Sequence, residues 1–221
     1  GGNSSLTAEL RTAVRKNQFE LHYQPRIDLA SGHLVGLEAL LRWNHPERGL
    51  LLPVDFMSAC EDMGLMKAIG YQVIQHACNA QIWLEEQNMQ NVDVAVNISF
   101  SQIEDDPFVE IVKDIIVRSG ANGSKIEFEL TESTILQSSV EIKSRMNELR
   151  ELGISFSLDD FGTGFSQLNH LTELPISALK IDACFVRDLP HNENQEAVCC
   201  MIIEMGRRLG LVVVAEGAET H

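Results

Sequence analysis

Apolar positions along the chain follow two alternating rhythms. Short runs of branched and large aliphatic residues stand at Leu21 to Tyr23, His33 to Leu37, Val92 to Val96, Lys125 to Glu129, Ile154 to Leu158, Leu179 to Ile181 and Leu211 to Val214. Between most of them the apolar spacing changes to three and four. The clearest case is Ile69, Val73, Ala77, Ala80 and Leu84, which predicts a helix from Met66 to Gln87 with one face on a sheet. Strand-like runs separated by helical stretches predict an α/β fold with a mainly parallel sheet. The first two runs are parted only by a hairpin-length turn containing Ser31-Gly32, so that pair is expected to be antiparallel. No segment repeats another, which excludes a solenoid.

Punctuation supports these elements. Pro53 and Pro107 suit first helical positions, and Ser138 with Glu141 reads as a capping box before Ile142, Met146 and Leu149. Gly64, Gly120, Gly153 and Gly210 fall where helices should stop. An amphipathic segment from Leu6 to Arg15 opens the domain, expected to span residues 6–221. Residues 1–5 read as a linker.

Composition narrows the function. The chain has 221 residues, 44% of them hydrophobic, enough for one substantial core. A formal charge of −15 argues against a protein that grips a nucleic-acid duplex by its phosphates. A small anion could still bind if metal ions supply the positive charge. The five cysteines form no C-x-x-C pair and sit mostly in apolar segments, as reduced core residues of a cytoplasmic domain would. No apolar stretch approaches a membrane span, so membrane anchoring would belong to a longer parent protein.

The chemistry lies at the ends of the strand-like runs. Glu38 follows the second, Asn97 the third, Glu129 closes the fourth, Asp159 and Asp160 follow the fifth, Lys180 lies in the sixth and Glu216 follows the seventh. In a parallel barrel such ends converge on one face, where active sites of that architecture lie. A single Glu is most often a solvated surface charge. Acids gathered at apolar strand ends are costly unless paired or metal-bound. Oxygen donors without histidine or thiolate suit magnesium or manganese, and two such ions would neutralise the cluster and clamp a phosphodiester for in-line attack by water. Asp160-Phe161-Gly162 spells a kinase tripeptide, but no H-R-D or glycine-rich loop accompanies it. The histidines show no metal-ligand spacing.

At these residues the sequence resembles the EAL domain family. Glu38-Ala39-Leu40 is its signature, within Gly36-Leu37-Glu38-Ala39-Leu40-Leu41-Arg42-Trp43. In family order stand Tyr23-Gln24-Pro25, Pro53-Val54-Asp55-Phe56, Asn97-Ile98-Ser99, Glu129-Leu130-Thr131-Glu132, Asp159-Asp160-Phe161-Gly162-Thr163-Gly164, Leu179-Lys180-Ile181-Asp182 and Ala215-Glu216-Gly217-Ala218-Glu219. The resemblance runs from about Phe19 to Glu219. Phe165 stands where the family commonly has tyrosine, and Cys60 where alanine is usual.

The resemblance implies a TIM-like (β/α)8 barrel with an antiparallel first strand, whose final strand and helix would lie beyond His221. It implies hydrolysis of cyclic di-GMP to the linear dinucleotide pGpG with two magnesium or manganese ions, calcium being inhibitory. Glu38, Asn97, Glu129 and Asp159 match the ligands of one metal, and Asp159, Asp160 and Glu216 those around the second. Lys180 matches a lysine that contacts the attacking water, Glu132 a glutamate that steadies the loop Phe161 to Gln167, and Gln24, Leu40, Arg42, Asn97 and Asp160 substrate-contacting positions. Glu216 could take a proton or only hold metal. Diguanylate cyclase or sensor domains ahead of this one, and a homodimer, are family expectations. The alternative is an inactive cyclic di-GMP receptor, though such members usually lack several of the acids. A metal-dependent lyase would explain the acids but not the ordered motifs.

Overall fold

The computed structural model describes residues 2–27, 31–131, 139–161, 168–186 and 192–215. They form two compact units, Gly1–Val96 with Glu104–Ile126, and Asn97–Ile103 with Glu127–His221.

In the first unit β1 (Phe19–Ile27) pairs antiparallel with β2 (Leu34–His45), as the short turn predicts. β2 then runs parallel to β4 (Asp93–Asn97) and carries β3 (Gly49–Leu51) as a second antiparallel partner. Because side chains alternate across a strand, the register sorts this ribbon into two faces. Phe19 opposite Trp43, with Leu21 opposite Leu41, looks one way. That face meets helices α1 (Gly2–Arg15), α2 (Pro53–Asp62) and α3 (Met66–Glu86) in a core of Leu10, Ala13, Phe19, Trp43, Phe56, Cys60 and Ile69. The Trp43 ring stands edge-on to Phe56 at 5.8 Å and 84°, and its indole N–H donates to Gln18 at 3.2 Å. Each such buried ring contributes on the order of 1.5–3 kcal/mol by leaving water. The opposite face carries Glu20, His22, Gln24 and Arg26 across from Arg42, Leu40, Glu38 and Gly36.

β2 extends well past the expected Leu37. Glu38, Ala39 and Leu40 favour helix by intrinsic preference, but pairing on both edges at Glu38 and Ala39, and with β1 at Leu40, outweighs that. Helix α3 matches its expected span to within a residue. Ile69, Ala77 and Leu84 are buried, whereas Val73 and Ala80 are half-buried and Ile74, Cys78 and Gln81 are buried beside them. The stripe is broadened because α4 (Phe108–Ser119) packs against the same helix, with Tyr71 6.0 Å from Phe108. Pro107 is the cap of α4 rather than its first residue.

The second unit holds β5 (Ile126–Thr131), β6 (Ser155–Phe161), β7 (Ala178–Ile181) and β8 (Val212–Ala215), all parallel and paired in that order. Phe128, Leu130, Phe156, Leu158, Leu179 and Ile181 are buried, and in these strands they alternate with Glu127, Glu129, Ser157, Asp159 and Lys180. Between β5 and β6 runs α5 (Val140–Glu151). Its cap is Ser139, one residue later than expected: the Ser139 hydroxyl accepts the Ile142 N–H and donates to Glu141 at 2.7 Å. Ser138 lies outside the described residues. α6 (Glu193–Leu209) is capped by Asn192, ends at Gly210 in the left-handed conformation (φ +70°), and leads into β8. Among the described residues no helix is long and apolar enough to cross a membrane.

Candidate active site

Glu129 sits in β5 beside Ser157 of β6, and Thr131 beside Asp159. Ser157 is small and fully buried, and its hydroxyl donates to Glu127 at 2.7 Å. Lys180 projects from β7, one strand further on. Its ammonium lies 3.0 Å from Oε2 of Glu129 and 3.8 Å from Oδ1 of Asp159. The side chains of Lys180 and Glu129 are 1% and 0% exposed. Charges this dry require partners, and in each other they have one.

Asp159 and Asp160 are neighbours, so in a regular strand they would face opposite sides. A bulge changes this. From the pair Leu158 and Leu179 to the pair Phe161 and Ile181, β6 advances three residues (158 to 161) while β7 advances two (179 to 181). Asp160 occupies the left-handed region at φ +56°, and its N–H donates to Asp159 Oδ1 at 2.9 Å. Such bulges re-aim side chains beside active sites. Burial pushes the Asp160 carboxyl up to about 6; the charge of Asp159 and a hydrogen bond with Asp182 add to the rise, and Lys180 opposes it. Asp182, absent from the expected site, also accepts the Cys184 N–H at 2.6 Å. Its position just past β7, before a residue whose N–H needs an acceptor, is the signal that could have found it.

Asn97 ends β4 and belongs to this unit. The next peptide N–H, that of Ile98, donates to the carbonyl of Glu129 at 2.9 Å, so the two side chains leave from bonded neighbouring backbones. Glu38 lies in the first unit, within β2 and not at its end. It stands across from Gln24 and abreast of Ala95, one step before the parallel ladder with β4 finishes at Ala39 and Val96. The end that matters is therefore that of the ladder, since β2 continues alone with its antiparallel partners. Leu40 and Arg42 follow on the same face, and Arg42 Nη1 donates to the Leu41 carbonyl at 2.8 Å. Glu132, Glu216 and 162–167 lie outside the described residues.

The donor set suits a hard cation. Carboxylate oxygens of Glu129 and Asp159 lie within 4.8 Å of each other, with Asp160 adjoining. One ammonium faces several acids, and further positive charge would relieve their repulsion.

The profile of the EAL domain family matches residues 7–221. The chain belongs to the EAL family. It is 38% identical to the bifunctional diguanylate cyclase/cyclic di-GMP phosphodiesterase MucR of Pseudomonas aeruginosa, over 98% of this chain and 32% of MucR. With the cyclic di-GMP phosphodiesterase NbdA of the same organism it shares 39% identity, over 97% of this chain and 28% of NbdA. The chain thus spans about a third of the length of these relatives. Among solved structures it resembles the MucR phosphodiesterase in complex with cyclic di-GMP, with a TM-score of 0.90 and 38% identity over 98% of this chain and 88% of that one. The EAL domain is a TIM-barrel fold, and the antiparallel β1 and β2 are the departure from regular barrel order seen here.

Proposed function

We propose that this EAL domain hydrolyses cyclic di-GMP to linear pGpG and so lowers the level of that second messenger. The observation that carries the reading is the buried Lys180 held between Glu129 and Asp159. The relatives MucR and NbdA, both named for cyclic di-GMP phosphodiesterase activity, support the substrate.

Two magnesium or manganese ions, the first held by Glu38, Asn97, Glu129 and Asp159 and the second by Asp159, Asp160 and Glu216, would supply Lewis acidity to the phosphodiester and to water. Lys180 keeps a positive charge in a dry pocket, where it favours the hydroxide form of the attacking water and steadies charge gathering on the phosphoryl oxygens. Water adds to phosphorus, the bond to the 3′ oxygen breaks, and that oxygen leaves with a proton. Arg42 presents a planar fork suited to phosphate, and Gln24 and Leu40 contact the nucleotide beside it. Glu132 would steady the loop 161–167 and act through it.

The test is incubation with cyclic di-GMP and magnesium, followed by separation of the nucleotides. We expect pGpG from the parent protein and none from Asp159→Asn, with that variant still folded. Tight binding without any product would instead make the domain a receptor.

A further inference from the structure

The chain beyond Asn97 is held by a contact that the reaction itself does not explain. A single helical turn, Phe100–Ile103, follows β4 after Ile98 and Ser99. Gln102, only 3% exposed, turns its side-chain oxygen back onto Ser99. It accepts the Ser99 N–H at 2.8 Å and the Ser99 hydroxyl at 2.9 Å. An N–H can only donate, so the amide orientation of Gln102 is fixed by chemistry. The remaining backbone bonds close the turn, from the N–H groups of Gln102 and Ile103 to the Ser99 carbonyl at 3.2 and 3.4 Å. From α5, Arg145 donates to the Ile103 carbonyl at 2.8 Å.

A one-turn helix cannot hold itself together, because nucleation is unfavourable at this length. Here a buried amide does so, supplying one half of a capping box: the Gln102 side chain takes the Ser99 N–H, while the Gln102 N–H bonds the Ser99 carbonyl. The Ile98 N–H is committed to the Glu129 carbonyl, so residues 98 and 99 are both tied down. With its following peptides fixed, Asn97 has little backbone freedom at the end of β4.

We infer that Gln102 is a positioning residue for Asn97, holding its amide oxygen where a metal ion shared with Glu129 and Asp159 would take it. The inference rests on the metal-site reading above. Partners that orient a metal ligand typically alter affinity by about 10- to 100-fold when removed.

The probe is manganese alone, titrated into the metal-free domain and read as the metal concentration that gives half of the thermal stabilisation. Gln102→Met keeps the length and loses the acceptor, and should need about 10-fold more manganese. Gln102→Glu keeps an acceptor and should stay within about 3-fold of the parent. Combined with Asn97→Ala, Gln102→Met should add nothing, since the ligand it positions is gone. Parental affinity in Gln102→Met, no rescue by glutamate, or an undiminished effect in the Asn97→Ala background would each overturn the assignment. If Gln102→Met does not fold, Ser99→Ala decides: weaker manganese binding supports the role, and unchanged binding removes it. A parent protein that manganese does not stabilise at all would instead remove the metal site itself, and this inference with it.

Discussion

Lys180 and Glu129 meet at 3.0 Å, two strands apart, with neither side chain open to solvent. Adjacent strands are about 4.8 Å apart, so the lysine must reach across β6. The residue of β6 in register with Glu129 is Ser157, which is small and turned to Glu127. A long cation is therefore fixed by its surroundings, and its charge is in place before substrate arrives.

Removing that charge should damage the chemical step more than binding. Lys180→Ala should lower kcat by about 100-fold or more while leaving KM within a few-fold, since preorganised charge acts on charge that develops in the transition state. Steady-state kinetics at saturating magnesium checks this. A change confined to KM would make Lys180 a substrate clamp. Breaking a buried pair typically also costs about 3–5 kcal/mol, so the metal-free variant should unfold at lower urea.

Much of this site was legible as spacing. Glu129, Asp159 and Lys180 stand at strand positions that the apolar runs on either side mark out. The bulge was not legible, because Asp159-Asp160 reads as an ordinary strand end until β7 is seen to advance one residue less than β6. β3 was missed because three residues cannot display an alternation, and the full length of β2 because Glu38-Ala39-Leu40 has no strand-like composition. Gln102 stood three residues after Ser99, a capping-box spacing visible in the sequence, but no apolar run followed to mark it as a helix start.

Metal choice should follow coordination geometry. Magnesium and manganese favour compact octahedral sites, whereas calcium takes longer, more numerous oxygen contacts. Turnover should therefore run with the first two and fall by about 100-fold or more in calcium, with cyclic di-GMP still bound. Parallel measurement of product formation and of nucleotide affinity in each ion checks this. Equal rates in all three would deny the metals a geometric role.

Gly206 is a packing requirement. A Cβ built there would collide with the Val213 side chain where α6 crosses β8. Gly206→Ala gains up to about 1 kcal/mol of helix preference, but overpacking typically costs about 1–3 kcal/mol. The net should be a loss, read as a lower urea midpoint. Val213→Ala in the same chain should recover part of it, and the double-mutant cycle measures the coupling. Stabilisation by Gly206→Ala alone would show that the helix can move away from β8.

On the metal-site proposal, Asp160 sets stability against function. Its backbone is left-handed at φ +56°, where a side chain usually carries strain, and its carboxyl is disfavoured as an anion first by burial and then by Asp159. Glycine adopts that conformation freely and brings no charge. Asp160→Gly should thus raise the stability of the metal-free domain by roughly 0.5–1 kcal/mol, the usual gain when a strained residue is relieved, partly offset by the entropy glycine adds to the unfolded chain. The sign with pH follows from the raised carboxyl. A group that binds its proton more tightly in the folded state lowers stability as pH rises from about 4 to 6. The gain from Asp160→Gly should therefore be smallest near pH 4 and largest above pH 6. Hydrolysis should be lost at every pH, because the proposed second metal would lose a ligand. Urea unfolding in chelator at several pH values, set beside product formation in magnesium, measures both. A variant that is less stable than the parent at pH 7 would mean that the bulge depends on the Asp160 side chain and carries no strain.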